Sequence, residues 1–347
     1  MIRPAIQSMT GYQPGEQPRR GKVIKLNTNE NPYPPSPRVV EAIRQAAEAG
    51  LQKYPDPMAG AFRLRAAEVL ADDLPQITPE WILCGNGSDD ILTILTRTFV
   101  GEGDLLRYPK PSYVLYKTLA DIQGAQVDVV DFQADWQLGE RFTAATDRLR
   151  LAFVANPNSP SGTVLSVAEV AKLADSLPCP LVVDEAYVDF AEANCLSLVG
   201  ENPSVIVTRT LSKSYALAGL RFGYCVAQPQ VIEQLVKVKD SYNCDALSIA
   251  AATAAIDDQA WLKQNCEKVL ATRARMADAF KDKGFVITDS QANFVWCTHE
   301  SRDLKQLYED LKSAGILVRY MSYDGWPEGI RVSVGTDDQV DACLAML

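Results

Sequence analysis

Lys213 is the residue whose surroundings most clearly suggest chemistry. It lies in segment 210–223 among hydroxyl side chains, and Arg221 follows eight positions later. An unprotonated lysine attacks carbonyl carbons, and the planar fork of an arginine binds phosphate through two hydrogen bonds. An exposed lysine in a polar loop is the alternative, but the apolar stretch 216–220 indicates a buried segment. The segment therefore predicts a lysine amine that bonds to a carbonyl compound carrying a phosphate.

An acidic and an aromatic residue follow an apolar run upstream of this lysine. Residues 181–183 are apolar, Asp184 comes next, and Tyr187 lies three positions later. A carboxylate there can pair with a protonated ring nitrogen and keep an aromatic cofactor electron-poor, while Tyr187 can hydrogen-bond a phenolic oxygen of the ring. An acidic pair after a strand is also typical of metal-dependent NTPases, but the sequence has no Gly-Lys-Ser/Thr motif. The predicted partner is a phosphorylated pyridine aldehyde.

Three further segments contain candidate residues, each with an alternative structural reading. The glycine-rich segment 85–90 follows a predicted strand and opens a predicted helix at 91–100, so it suits an anion or is an ordinary turn with an N-cap. Asn156, in an Asn-Pro-Asn turn, can donate to a cofactor oxygen or only shape the turn. Tyr113 can cover a ring face or fill the core, and Arg331, inside an apolar strand, can bind a carboxylate or an internal partner.

Composition narrows the class of protein. The 347-residue chain has a net charge of -10 and no basic run, which disfavours nucleic acid and anionic membranes as partners. We find no transmembrane stretch and no signal peptide, so we expect a cytoplasmic protein. The eight cysteines show no metal-binding spacing, so we expect no metal and buried, reduced thiols. His299 is the only histidine and lies in a polar stretch, which argues against a Ser-His-Asp hydrolase.

Apolar runs alternate with helical patterns from about residue 80 to 250, which predicts an α/β domain with a mostly parallel sheet flanked by helices. A capping box at Ser166 predicts a helix over 167–177. After residue 260 the pattern changes to that of a smaller α+β domain with strands at 285–288, 293–297, 316–319 and 330–334 and helices at 261–283 and 303–313. We expect an N-terminal arm (1–45) that packs with the small domain, a large domain (46–255) and the small domain (256–347). The predicted strands of the large domain are 81–84, 104–108, 126–130, 151–155, 181–183, 205–208 and 223–227.

Over nearly its whole length the chain resembles the fold-type-I pyridoxal-phosphate aminotransferases. The lysine segment and its spacing to Arg221 are specific to that superfamily, whereas two N-terminal segments point to a subgroup that uses a phosphate-bearing amine. Asp90 stands where the family more often has glutamate, past the phosphate loop. The matching segments are 26–32 (LNTNENP), 53–57 (KYPDP), the glycine loop, the Asn-Pro-Asn turn, Asp184 with Tyr187, 210–221 (TLSKSYALAGLR) and 330–335 (IRVSVG).

The resemblance implies a role for each matching position. Lys213 would hold pyridoxal 5'-phosphate as an imine and move protons, with Asp184 at the pyridine nitrogen. Tyr54 matches a tyrosine that reaches into the partner subunit's site, which implies a homodimer with shared sites. The ring would be held by Tyr113 on its face and by Tyr187 and Asn156 at its oxygen, and its phosphate by Gly87, Ser88, Thr210, Ser212 and Arg221. The substrate positions are Tyr12 and Arg319 for a phosphate, Arg331 for a carboxylate, and Asn29.

The resemblance also implies an activity. It favours transamination of histidinol phosphate with 2-oxoglutarate, which yields imidazole-acetol phosphate and glutamate, a step of histidine biosynthesis. Two separate arginines, Arg319 and Arg331, suit a phosphate-bearing amine that alternates with a dicarboxylate. An aromatic amino-acid aminotransferase and a phosphothreonine decarboxylase are the alternative enzymes. A non-catalytic cofactor-binding regulator would lack the lysine or carry a DNA-binding module, and neither condition holds.

Overall fold

The structure is a computed structural model that describes residues 1–11, 15–17 and 23–347. Short 3-10 turns at Pro79–Trp81, Glu140–Phe142, Val188–Phe190 and Ala218–Leu220 join several elements. The α-helices are α1 (Pro4–Ser8), α2 (Pro37–Glu48), α3 (Gly60–Leu70), α4 (Ser88–Phe99), α5 (Leu115–Gln123), α6 (Val167–Ser176), α7 (Ser197–Glu201), α8 (Pro229–Val236), α9 (Ala246–Asp257), α10 (Gln259–Asp282), α11 (Leu304–Ser313) and α12 (Asp337–Leu344). The strands are β1 (Ile24–Lys25), β2 (Ile82–Gly85), β3 (Leu105–Lys110), β4 (Gln126–Asp131), β5 (Leu149–Ala155), β6 (Leu181–Asp184), β7 (Val205–Thr210), β8 (Gly223–Val226), β9 (Val286–Ile287), β10 (Phe294–Thr298), β11 (Ile316–Leu317), β12 (Arg319–Met321) and β13 (Gly329–Ser333).

A seven-stranded sheet forms the centre of the large domain, in the order β2-β8-β7-β6-β5-β3-β4. The pairs from β4 to β7 are parallel, and β8 runs antiparallel to both of its neighbours. All seven strands predicted for this domain are present, with ends displaced by at most two residues. The predicted α/β class with a mostly parallel sheet is therefore confirmed.

Helices cover both faces of the central sheet, which explains why its inner strands read as unbroken apolar runs. On β6, Val183 belongs to a core that includes α3, α6 and α9, whereas Val182 belongs to a second core with α4, α5 and α8. Helix α6 begins with the predicted capping box, in which Ser166 and Glu169 satisfy each other's backbone amides. The two buried layers hold the polar carboxyl ends of the strands in fixed positions.

The smaller sheet has four antiparallel strands in the order β12-β13-β10-β9, and α10, α11 and α12 contribute to its core. The single strand predicted at 316–319 is wrong: Ile316–Leu317 pairs with β1, and Arg319 begins a strand of the small sheet. The apolar run continues across this change of partner because Val318 is buried as well. The predicted domain boundaries stay a prediction.

The N-terminal arm lies against the C-terminal elements. Strand β1 pairs in parallel with β11, and the backbone amide of Ser333 donates to the carbonyl of Leu26 at 2.9 Å. Further along the arm, Trp261 and Asn265 of α10 both donate to the carbonyl of Pro34, each at 3.2 Å. These contacts fix residues 26–34, which pass directly over the carboxyl edge of the central sheet.

Two expectations from composition concern thiols and membranes. All eight cysteines are buried and free, and burial raises the pKa of several of their thiols, which makes them poor nucleophiles. Over the ranges 1–11, 15–17 and 23–347, the structure has no helix both long and apolar enough to span a membrane.

Candidate active site

The site forms where neighbouring parallel strands end. Asp184 closes β6 and Thr210 closes β7, and the two strands pair in parallel, so their carboxyl ends lie side by side. Open α/β sheets place ligands at this edge. Lys213 follows β7 by three residues and faces the same cavity. The sequence-predicted residues that line this one cavity are Ser88, Tyr113, Asp184, Tyr187, Thr210, Ser212, Lys213 and Arg221.

Asp184 is a buried carboxylate with two hydroxyl donors. Its side chain accepts 2.8 Å from Tyr116 and 3.2 Å from Thr208, and the residue is only 4% exposed. Burial raises the pKa of Asp184 to about 6, an effect that the Tyr116 bond opposes and the nearby negative charge of Asp89 reinforces. A cationic ring nitrogen placed beside this carboxylate would therefore gain a desolvated counter-ion.

The amine of Lys213 lies beneath the N-terminal arm. Its Nζ donates to the carbonyl of Thr28 at 3.1 Å and lies 5.8 Å from the centre of the Tyr187 ring. On the far side of the same loop, Ser214 donates a short hydrogen bond to Asp189, and Asn31 donates to the carbonyl of Ser214 at 2.9 Å. The lysine loop is thus held from both sides, with the amine directed into the cavity.

The glycine loop and Arg221 form a cradle at the start of α4. Gly87 has a φ of +84°, a conformation that favours glycine, and Nη2 of Arg221 lies 2.5 Å from where a Cβ would stand. A Cβ on Gly223 would lie 2.4 Å from the backbone nitrogen of Ser88. Arg221 donates to the hydroxyl of Ser212 at 3.2 Å. Backbone amides, a hydroxyl and a guanidinium therefore converge at the helix N-terminus, where an anion is favoured.

Asp89 is a site residue that the sequence reasoning did not select. Its carboxylate accepts 3.1 Å from the hydroxyl of Tyr113 and 3.3 Å from Nη2 of Arg221. In the sequence Asp89 is one residue of the glycine-rich segment, and nothing local shows that Tyr113 and Arg221 meet it. Asp89 thereby links the predicted ring-stacking tyrosine to the predicted phosphate-binding arginine.

The structure does not bring the side chain of Asn156 to the cavity. Its amide oxygen accepts from the backbone amide of Leu165 at 2.8 Å, and its Nδ2 donates to the Leu165 carbonyl at 3.1 Å. Ser159, three residues later, lines the cavity instead. Its hydroxyl accepts 2.8 Å from Arg331. In a turn rich in Asn, Pro and Ser, the sequence does not tell which polar side chain faces the site.

The two predicted substrate arginines lie in one row of the small sheet. Arg319 pairs with Arg331 across β12 and β13, and Arg331 pairs with Trp296 across β13 and β10, so the three side chains share a face. Arg331 is 9% exposed and also donates to the carbonyl of Asn27 at 3.1 Å. Its guanidinium lies over the ring of Phe294, which packs edge-on against Tyr187. This face therefore borders the cavity.

Three other predicted residues lie apart from the lysine cavity or outside the described chain. Tyr54 is 79% exposed and stacks on Tyr242 with ring centres 4.3 Å apart, so it does not line the cavity of its own chain. Asn29 is buried behind the cavity, where Nδ2 donates to the hydroxyl of Tyr187 at 2.9 Å. Tyr12 lies outside the described residues.

Tyr116 is the second residue that the sequence reasoning missed. It lies on α5, one helical turn after Tyr113, and is fully buried. Its ring stacks on Phe153 with centres 4.7 Å apart. From the sequence it reads as one more core aromatic, and only the contact with Asp184, 68 residues away, gives it another role.

The residues present fit pyridoxal phosphate. A buried carboxylate with two hydroxyl donors, a lysine amine and an anion cradle line one cavity, and the ring nitrogen, aldehyde and phosphate of such a molecule need these three kinds of group. The cradle is shaped by Gly87, whose positive φ favours glycine, and by Gly223, where a Cβ would clash with the backbone of Ser88.

Comparisons with known proteins identify the class that this fold and site define. The family model "Aminotransferase class I and II" matches residues 21–347. Because this match covers most of the sequence, the chain belongs to that family. The resemblance drawn from the motifs, and with it the prediction of an aminotransferase, is confirmed.

Individual relatives narrow the likeness further. The chain is 57% identical to histidinol-phosphate aminotransferase of Rhodopirellula baltica, over 99% of this chain and 94% of that protein. It is 44% identical to histidinol-phosphate aminotransferase 1 of Trichormus variabilis, over 97% and 95% of the two chains. A crystal structure of histidinol-phosphate aminotransferase from Sinorhizobium meliloti, in complex with pyridoxal-5'-phosphate, superposes with a TM-score of 0.87 at 28% identity and covers 99% of this chain and 95% of the other.

Proposed function

We propose that this protein uses pyridoxal phosphate to transfer the amino group of histidinol phosphate to 2-oxoglutarate, a step of histidine biosynthesis. The observation that carries the proposal is the single cavity that holds Lys213, Asp184 and Arg221 beside the row of Arg319 and Arg331. Its relatives in Rhodopirellula and Trichormus, with near-complete coverage, support the choice of amino donor.

The cofactor would be held by side chains already in place. Asp184 would face the ring nitrogen, Tyr187 the ring oxygen and Tyr113 the ring face, while the phosphate would lie between Gly87 and Arg221. Pyridoxal phosphate, when bound, supplies an electron sink for the charge that develops at the substrate's Cα. The protein's part is to orient the substrate and to move protons.

Lys213 would carry the proton transfers. An unprotonated Nζ takes the proton from the substrate's Cα, and the carbonyl of Thr28, 3.1 Å away, holds the amine at a fixed position. The ammonium group so formed remains beside the carbonyl oxygen of Thr28, which would stabilise it until Lys213 passes the proton to the carbon that carried the cofactor's aldehyde. Arg221 and the hydroxyl of Ser212 make the cradle at the start of α4 selective for anions.

Substrate choice would rest on the small sheet. Arg331 is pre-positioned by Ser159 and by the carbonyl of Asn27, which suits a planar carboxylate. Arg319, one strand away on the same face, would bind the phosphate of the donor. The donor's phosphate would then depend on Arg319, and the carboxylate of the acceptor on Arg331.

The proposed assembly is a cytoplasmic homodimer with shared sites. Tyr54 and Tyr242 form an exposed, stacked aromatic pair, and Tyr54 matches the family tyrosine that reaches the partner subunit's site. A second copy of the chain would cover them and bring Tyr54 to its partner's cavity.

A two-donor assay tests the proposed function. Purified enzyme with 2-oxoglutarate should form glutamate far faster from histidinol phosphate than from phenylalanine. A preference for phenylalanine would make the protein an aromatic aminotransferase, and release of carbon dioxide from a phosphorylated amino acid would indicate a decarboxylase. Borohydride should trap the cofactor on Lys213 and not on Lys213→Ala, with Lys110→Ala, a lysine outside the cavity, as the control; a trapped adduct on another lysine would refute the assignment.

A further inference from the structure

Asn29 occupies a strained and fully enclosed position behind the cavity. Its φ is +56°, a left-handed conformation that asparagine tolerates better than most residues, and it is 1% exposed. Its carbonyl accepts from Nδ2 of Asn293 at 2.9 Å. Its side chain lies between Ser333, at the end of β13, and Tyr187, which lines the cavity. A substrate does not reach a side chain enclosed in this way.

The hydrogen bonds around Asn29 form a directed chain from Ser333 to Tyr187. The hydroxyl of Ser333 accepts from the backbone N–H of Asn29 at 2.9 Å, and a backbone N–H can only donate. The single proton of that hydroxyl is donated to the Asn29 side chain, whose facing atom, also at 2.9 Å, is the acceptor Oδ1. The other end of the amide, Nδ2, consequently faces Tyr187.

This arrangement decides the direction of the bond to Tyr187. An amide NH₂ only donates, so the phenol oxygen of Tyr187 is the acceptor at 2.9 Å. The phenol's own proton must then point elsewhere. One flank of the Tyr187 ring is occupied by the edge-on ring of Phe294, and the remaining open side faces the cavity with Lys213.

We propose that Asn29 is a positioning residue that directs the proton of Tyr187 into the cavity, so that the phenol donates to the ring oxygen of the cofactor. Ser333 fixes the orientation of the Asn29 amide and thereby sets the direction of the hydrogen bond between Asn29 and Tyr187. The inference rests on the proposed function, because it assigns the receiving atom to pyridoxal phosphate. It also replaces the substrate-binding role that the sequence suggested for Asn29.

The critical variant is Asn29→Asp, which keeps the size and tolerates the left-handed backbone but can only accept. Ser333 would still donate to one carboxylate oxygen, and the other would take the proton of Tyr187 away from the cavity. Loss of a donor at the ring oxygen leaves more negative charge there, which favours protonation of the nitrogen that joins Lys213 to the cofactor. We therefore expect a higher pH midpoint for the cofactor's visible absorption.

The measurement is a spectrophotometric pH titration of the cofactor-loaded enzyme. Asn29→Asp should raise the midpoint by about one pH unit, a tenfold change in proton affinity, as Tyr187→Phe should. Asn29→Ala offers the Tyr187 hydroxyl neither a donor nor an acceptor, so it should shift the midpoint less. In a Tyr187→Phe background, Asn29→Asp should add little, because the effect passes through the phenol.

Several results would overturn the inference. One contrary result is the same pH midpoint in wild type and Asn29→Asp. Another is an equal shift in Asn29→Asp and Asn29→Ala. Either would show that Asn29 does not direct the hydroxyl proton of Tyr187. A full shift that persists in the Tyr187→Phe background would mean that the new charge acts directly. If Asn29→Asp does not fold, Ser333→Ala replaces it, because loss of the hydroxyl frees the Asn29 amide to rotate. Ser333→Ala should raise the pH midpoint in part, and an unchanged midpoint would also contradict the inference. A Tyr187→Phe enzyme with the wild-type midpoint would instead refute the proposed role of Tyr187.

Discussion

The hydroxyl of Tyr116, on α5, donates a 2.8 Å hydrogen bond to Oδ2 of Asp184 at the end of β6. This bond stabilises the charged form of a carboxylate whose pKa burial raises to about 6. Asp89, at the start of α4, raises the pKa of Asp184 through its own negative charge. Two neighbouring helices thus act in opposite directions on one buried acid.

Asp184→Asn should stabilise the cofactor-free protein at neutral pH. The pKa of Asp184 is higher in the folded state than the ordinary value of 3.8, so the folded state binds the proton more tightly between about pH 4 and pH 6. The wild-type protein therefore loses stability as pH rises through that window, and the variant does not. At pH 7 we expect a gain on the order of 2 kcal/mol in the free energy of unfolding, and no gain at pH 4.

Urea unfolding of wild type and Asp184→Asn at a series of pH values measures this difference. The same variant should lose nearly all transaminase activity, because an amide cannot act as a counter-ion to the ring nitrogen. A stability difference between the two proteins that is the same at pH 4 and at pH 7 would contradict the buried-charge interpretation.

Ionisation of Asp184 lowers the free energy of unfolding over a certain pH range. Tyr116→Phe and Asp89→Asn should shift this pH range in opposite directions. Without the Tyr116 donor, the pKa of Asp184 rises and the loss of stability extends to higher pH; without the Asp89 charge, the pKa falls and the loss is complete at lower pH. Tyr116→Phe should also cost about 1–3 kcal/mol at neutral pH, because it removes a partner from a buried charge. The midpoints are read from the unfolding series, with Asp184→Asn as the reference, and shifts of the same sign would refute this account.

The sequence predicted the central sheet well and the contacts across it poorly. Strands such as β6 and β7 are apolar on both faces, so their runs are recognisable, and the residues that end them, Asp184 and Thr210, are placed at the sheet edge by topology alone. The contact of Tyr116 with Asp184 joins elements 68 residues apart and follows no periodicity. No local signal reports it.

The sequence also did not predict which side chains of the turns and of the N-terminal arm face the site. Within one turn, Asn156 bonds to the backbone of Leu165 while Ser159 faces the cavity, and both residue types suit either place. Asn29 belongs to a matching motif, yet its side chain bonds to Tyr187, which follows β6, and to Ser333, which ends β13. Residues that act through distant partners need coordinates before a role can be assigned.

Arg319→Ala should separate the two substrates. If Arg319 binds the donor's phosphate, its loss removes charge-assisted hydrogen bonds worth about 1.5–3 kcal/mol and should raise the KM for histidinol phosphate roughly 10- to 100-fold. The KM for glutamate in the reverse reaction should change much less, because Arg331 is retained. Arg150→Ala, an exposed arginine on β5 that pairs with Asp104 at 3.5 Å, serves as the control. Equal losses for both substrates would show that Arg319 does not recognise the phosphate.

Mixing two inactive variants tests the shared site. If Tyr54 completes the partner's cavity, a heterodimer of Lys213→Ala and Tyr54→Ala chains contains one site with both residues intact. Refolding equal amounts together should restore activity to roughly a quarter of wild type, since random C₂ pairing makes half of the dimers mixed and each has one intact site. Tyr113→Ala is the matched control, because Tyr113 lines the cavity of its own chain and its mixture with Lys213→Ala should stay inactive. Without recovery in the Tyr54 mixture, the stacked Tyr54–Tyr242 pair would have to be assigned to a surface that does not enter the partner's site.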